Sequence, residues 1–191
     1  TTLSATIFPQ TGYPYLIETS VTYVLRADGI DVTHALTNRS ATEAPVALGT
    51  HPFLTIGDVD PHDLVLRVPA QTAIDTDERM LPVGTRPAEG ALRDGVRLGD
   101  ITLDGFTDLS RDADGLVRHS LTAPDGRRLT LWQGAGFDVV QVYTTDKYPG
   151  QSLAVAIEPM TAPADALNSG VGLRRLNPGE TWPLEWGITL D

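Results

Sequence analysis

"SVTYVLRADGIDVTHAL", residues 20–36, alternates Val21, Tyr23 and Leu25, turns at Asp28-Gly29, and resumes the alternation at Ile30, Val32, His34 and Leu36. A period of two belongs to a strand with one face toward an apolar interior, and Asp-Gly has the backbone freedom a reversal needs. The stretch therefore reads as an antiparallel hairpin. "LVRHSLTAPDGRRLTLW", residues 116–132, repeats the logic: Val117, His119 and Leu121 lead into Pro124-Asp125-Gly126, and Leu129 and Leu131 return. Working outward, "DLVLRV", "FDVVQVYT", "SLAVAIE" and "WPLEWGITL" add short β-branched runs bounded by Gly and Pro. No segment sustains apolar residues at i, i+3, i+4 and i+7 over the roughly ten residues that identify a helix; at most a helical turn is expected in "APADALN", residues 162–168. The expectation is an all-β chain folded as a sandwich or barrel, with function on strand ends and loops. With no internal repeat, low-complexity tract or linker, residues 1–191 read as a single β-sandwich domain.

Composition narrows the function. The formal charge of −11, from 14 basic and 25 acidic residues, is the wrong sign for a phosphate backbone, and a neutral small molecule suits it better. The absence of cysteine removes disulfides, thiolate metal sites and thiol nucleophiles, and is compatible with a reducing compartment. No apolar run approaches the ~20 residues that cross a bilayer, and the first residues lack the order of a signal peptide, so a soluble, cytoplasmic protein is expected.

Chemistry has to come from polar residues that interrupt apolar patterns. Glu158 closes the run "AVAIE", residues 154–158, and an ionised carboxylate in a buried strand needs a partner or a task, because its desolvation costs several kcal/mol. Either the backbone N–H groups of the following loop hold it, or it has a chemical task. His51, in "ALGTHPFLTIGD", residues 47–58, is either a hydrogen-bonded structural histidine or a general acid or base. His34 and His119 lie in step with apolar neighbours and read as satisfied core or interface histidines. Asp58, Asp60 and His62 in "GDVDPH" lack the spacing of a calcium loop and read as a solvated turn, as does "RDADG" at residues 111–115. Trp132, Trp182 and Trp186, spaced along strands, read as core before sugar-stacking surfaces. No metal site is expected, and there is no phosphate loop, G-x-S-x-G elbow or H-E-x-x-H motif.

"GTHPFL" (49–54), "LDGFTDL" (103–109), "VQVYTTD" (140–146), "VAIEPMTAPADALNSG" (155–170) and "LNPGETWPLEWGI" (176–188) occur in the order and approximate spacing of the aldose 1-epimerase (galactose mutarotase) family, which the chain resembles from about residue 11 to its end. The resemblance implies an antiparallel β-supersandwich that interconverts the α and β anomers of an aldose such as galactose or glucose without a cofactor. By it, Glu158 is the general base on the anomeric hydroxyl, His51 the acid on the ring oxygen, and Asp104 a ligand of the sugar hydroxyls, with Asp108 as its rival. Two other functions stay open: an epimerase of a phosphorylated or sulfonated hexose, for which Arg174 and Arg175 are the available cations, and a non-catalytic carbohydrate-binding domain. The resemblance also implies that the chain corresponds to the C-terminal two-thirds of a longer family fold and lacks its usual N-terminal strands. Exposed sheet edges are then expected to pair with a complementing N-terminal segment or a second copy.

Overall fold

Both hairpins form. The computed structural model describes residues 1–100 and 104–191, with the side chains at 100 and 104 outside that description. Its strands run, in chain order, β1 (Thr2–Ile7), β2 (Ile17–Leu25), β3 (Gly29–Asn38), β4 (Ala44–Val46), β5 (Phe53–Leu54), β6 (Val65–Arg67), β7 (Ala70–Thr76), β8 (Pro82–Pro87), β9 (Val96–Arg97), β10 (Asp104–Leu109), β11 (Val117–Thr122), β12 (Arg128–Gln133), β13 (Val139–Thr145), β14 (Ala154–Met160), β15 (Arg174–Leu176) and β16 (Thr181–Leu190). Among the described residues, helix is confined to α1 (Gly90–Asp94) and α2 (Ala166–Ser169) besides two 3-10 turns; α2 overlaps the expected helical turn, and α1 was not anticipated. No helix among the described residues is long and apolar enough to cross a membrane.

Among the described residues, every strand pair is antiparallel. The larger sheet has the order β1-β2-β3-β16-β12-β11-β6-β9, a second has β5-β14-β13-β10-β7-β8, and β4 with β15 forms a small ribbon. The β2–β3 hairpin closes where Arg26 N–H donates to Gly29 O, and the β11–β12 hairpin where Ala123 N–H donates to Arg127 O, with Gly126 at φ +91° in the turn. Alternation then sorts side chains. On β11 and β12, Val117, His119, Leu121, Leu129, Leu131 and Gln133 point inward. Leu121, Leu129 and Leu131 among them meet Phe106, Val140, Val142, Val155 and Ile157 from the six-stranded sheet in the main core. Fully burying such side chains contributes about 1.5–3 kcal/mol each. A smaller cluster of Ile17, Leu36, Ala44, Val46 and Leu176 lies under the ribbon.

The first hairpin departs from its expected burial. Val32 and Leu36 on β3 are buried, yet Tyr23 and Leu25 on β2 are exposed, and so is every residue of β1. β3 is an inner strand of its sheet, whereas β2 is covered on its outer side only by β1, an exposed edge strand.

Two buried features tune stability. Gly187 on β16 lies opposite Trp132 and Asp31, and a Cβ there would stand 2.6 Å from the Ile30 carbonyl oxygen and from the Trp132 ring. His119 is fully buried, with its Nε2 3.0 Å from Gln133 Oε1, and desolvation holds its pKa down at about 4. Gly187→Ala is expected to lower the unfolding free energy by about 1–3 kcal/mol through overpacking, read from urea denaturation. His119 is protonated more readily unfolded than folded. Its contribution is therefore present above the ordinary histidine pKa, falls as pH drops from about 6.5 to about 4, and amounts to roughly 3 kcal/mol. Denaturation at stepped pH should show this slope in the wild type and a shallower one in His119→Gln.

Candidate active site

The six-stranded sheet has two differently used faces. Along β14, Val155 and Ile157 point into the core, so Ala156, Glu158 and Met160 point to the other side. Cross-strand register carries that face onward. Glu158 stands opposite Gln141 on β13, Gln141 opposite Gly105 on β10, Gly105 opposite Ile74 on β7, and Ile74 opposite Thr85 on β8. The neighbouring row runs from Phe53 on β5 through Ala156 to Tyr143.

Local geometry delivers His51 to this face. Residues 48–50 run against 159–161: Thr161 N–H donates to Leu48 O, Leu48 N–H to Thr161 Oγ1, and Thr50 N–H to Pro159 O. Two residues past His51, Phe53 pairs with Ala156. His51 is thus suspended across from Glu158 between two fixed points of the ladder, with Pro52 restricting the connection. Its ring lies 5.0 Å from that of Phe53 and edge-on to Tyr143 at 5.9 Å. Ala156, the small residue between Phe53 and Tyr143, leaves the room above the sheet that this arrangement uses.

His51 Nε2 approaches Glu158 Oε1 to 3.1 Å, so the two residues singled out as acid and base meet. The Glu158 side chain is 13% exposed and that of His51 52%. Burial raises the Glu158 pKa above the ordinary glutamate value, and the charge of His51 acts in the opposite sense. The alternative in which loop N–H groups hold the carboxylate finds no such bond among the described residues; its partner is His51.

Glu158 opens into a cavity of about 220 Å³, walled by Gln141, Gly105, Ile74, Met80, Pro82 and Met160 among others. Gln141 lines the same cavity as Glu158 and was not singled out from the sequence. It is the polar interruption of "FDVVQVYT", the same signal that marked Glu158. Gly105 keeps the floor open, since a Cβ there would lie 3.0 Å from Gln141 Oε1. The side chain of Asp104 lies outside the described residues; its backbone pairs with Val142, next to the Gly105–Gln141 pair. Asp108 has φ +52° and accepts from Thr72 Oγ1 at 2.5 Å, away from the walls of this cavity.

The other polar candidates are engaged elsewhere. His34 accepts from Trp186 Nε1 at 3.0 Å, and both belong to the larger sheet. Trp132 and Trp182 also lie there, on β12 and β16, Trp182 beneath the Arg174 guanidinium. Asp60 caps a 3-10 turn and binds His62 Nδ1 at 2.9 Å, a closed local turn. Arg174 pairs with Glu180 and Arg175 with Glu43, both on the surface.

A family model described as aldose 1-epimerase matches residues 1–189. The chain is 29% identical over 188 residues to YihR of Escherichia coli, an uncharacterized protein, covering 98% of this chain and 60% of that one. Among solved structures it is similar to a galactose mutarotase-like protein from Clostridium acetobutylicum (TM-score 0.85, 16% identity, all of this chain and 62% of that one). It is also similar to a galactose 1-epimerase from Lactobacillus acidophilus (TM-score 0.77, 18% identity, all of this chain and 62% of that one). The chain therefore spans about three-fifths of the length of these relatives. With its fold and nearly its whole length matched in this way, the chain belongs to the aldose 1-epimerase family.

Proposed function

We propose that the protein interconverts the α and β anomers of a neutral aldose, glucose or galactose, with Glu158 as general base and His51 as general acid. The observation that carries this reading is the 3.1 Å approach of His51 Nε2 to Glu158 Oε1 at the mouth of a cavity. The anomeric hydroxyl oxygen and the ring oxygen are bonded to the same carbon. A base for one and an acid for the other therefore have to stand side by side, as these two groups do.

Glu158 takes the proton of the anomeric hydroxyl, the bond between C1 and the ring oxygen breaks, and His51 protonates the departing oxygen. Rotation about C1–C2 turns the other face of the aldehyde toward the hydroxyl. Reclosure runs the transfers backward, returning the proton from Glu158 to the anomeric oxygen and from the hydroxyl to His51. Each positioned group contributes roughly 10²–10⁴-fold. A raised Glu158 pKa suits the task, because a base closer to the operating pH is a stronger one. Gln141, opposite Glu158, has an amide to offer a sugar hydroxyl, and Asp104 is proposed as a further hydroxyl ligand from its place in the family motif.

The neutral substrate is favoured over an anionic hexose because Arg174 and Arg175, the cations considered for a phosphate or sulfonate, are paired with Glu180 and Glu43. Catalysis is favoured over simple sugar binding because acid and base are in contact and one of them is desolvated.

Polarimetry of freshly dissolved α-D-glucose or α-D-galactose tests the reading. Wild-type protein should accelerate the approach to anomeric equilibrium, and Glu158→Gln should slow that rate by roughly 10²-fold or more, with sugar binding retained. On the acid side the rate should fall as Glu158 is protonated, with its midpoint above the ordinary glutamate value. Linkage fixes the companion result. The fold favours protonated Glu158, so this group's contribution to stability is present at low pH and lost as pH rises through its folded pKa. At neutral pH, Glu158→Gln should thus melt no lower than the wild type, whereas a carboxylate serving to hold the loop would lower the melting temperature on replacement.

A further inference from the structure

Trp132 does not take the place in the core that its position in a strand suggested. Leu131 and Gln133 are buried on the inner side of β12, so Trp132 points the other way, onto the solvent face of the larger sheet. Gly187, across on β16, seats it there: the indole lies over the glycine, where a Cβ would meet Trp132 Cζ2 at 2.6 Å and Cε2 at 2.7 Å. A ring laid against backbone turns its other face outward. The remaining two tryptophans are engaged, Trp186 Nε1 donating to His34 at 3.0 Å and the Arg174 guanidinium standing 4.9 Å over the Trp182 ring. Among the described residues, no ring or guanidinium stacks on Trp132, and its Nε1–H reaches solvent with no acceptor in the chain.

The surroundings of this ring are polar and nearly charge-balanced. Arg118 lies opposite Trp132 on β11, and Asp31 lies beyond Gly187 on β3. Arg118 is ion-paired with Asp112 at 2.7 Å and Asp114 at 2.6 Å, and Asp31 with Arg26 at 2.7 Å, so compensating charges orient both. Two residues along the strands, Ser120, Thr130 and Thr189 form a row of hydroxyls that bond to nothing else among the described residues. In the other direction along β16 stands Glu185, without an ion pair among them. From Arg118 to Asp31 the platform crosses three strand spacings, on the order of 14 Å. A polyanion finds no array of free cations there. A pyranose ring has a face of C–H groups to lay on an indole and an edge of hydroxyls to bond with hydroxyls, a guanidinium and carboxylates, the combination of apolar surface and placed polar groups that orients a ligand.

We propose that this outer face of the larger sheet is a docking site for a neutral polysaccharide, one of whose pyranose rings stacks on Trp132. The site lies on the opposite side of the core from Glu158, whose carboxylate faces outward from the other sheet, and it is independent of the mutarotase reading.

Native electrophoresis through gels cast with dextran, laminarin, hydroxyethyl cellulose or galactan tests this on the wild-type protein. At least one of these polymers should retard it. Trp132→Leu keeps an apolar side chain over Gly187 but removes the ring, and it should bind that polymer on the order of tenfold or more weakly, the scale of losing one stacked ring; thermal melts report its folding. In the wild type, the NMR signal of the Trp132 Nε1–H should shift on titration with the same polymer, a readout that needs no variant. Glu158→Gln should be retarded as the wild type is, because the two sites lie on opposite sides of the core. Failure of all four polymers to retard the wild type overturns the proposal, as do tighter retention by polygalacturonate than by any neutral polymer, an unmoved Trp132 signal, undiminished retardation of folded Trp132→Leu, and retardation that Glu158→Gln abolishes.

Discussion

A carboxylate taken out of water and set against an imidazole is the interaction on which the site depends. Glu158 is nearly covered, His51 is half exposed, and their 3.1 Å contact joins a desolvated carboxylate to an imidazole that solvent reaches. Burial works against the charge on Glu158, and His51 partly offsets that cost. Neither residue explains the other alone. Burial raises the proton affinity of the carboxylate, and its charge tolerates burial because His51 stands beside it.

Sheet architecture makes the pairing inevitable once the register is set. β14 sits inside its sheet between β13 and β5, so its even-numbered residues 156, 158 and 160 share the face opposite the core. A slip of one residue would turn Glu158 into the cluster of Phe106, Val140 and Ile157. The bridge between Gly49 and Met160 and the ladder pair Phe53–Ala156 guard against that slip while they hang His51 over the site. A sheet strand thus carries the Glu158 carboxylate, and a short proline-containing connection carries the His51 imidazole.

Much of this was legible in the sequence, for physical reasons that also mark the limits. Period-two alternation around Asp28-Gly29 and Pro124-Asp125-Gly126 encodes hairpins locally, and both formed with the expected turns. Glu158 stood out because it breaks an apolar run. Gln141 breaks its own run in the same way and escaped notice, since a neutral amide carries a weaker signal than a charge. The burial of β2 was misjudged because alternation records which residues share a face, while cover depends on what the rest of the chain places over it. Nor did local pattern reveal that β16 lies between β3 and β12, or that Trp186 donates to His34 across 152 positions of sequence. Non-local pairing is decided by tertiary packing, and so are the Phe53 and Tyr143 rings that flank His51.

The central claim, a desolvated Glu158 coupled to His51, is tested most directly by NMR titration of the Glu158 side-chain carboxyl in the wild type and in His51→Asn. The account predicts a midpoint above the ordinary glutamate value in the wild type and a higher one still in His51→Asn, because removing the imidazole removes the charge that opposes burial. A midpoint at the ordinary value that does not move on substitution would contradict it.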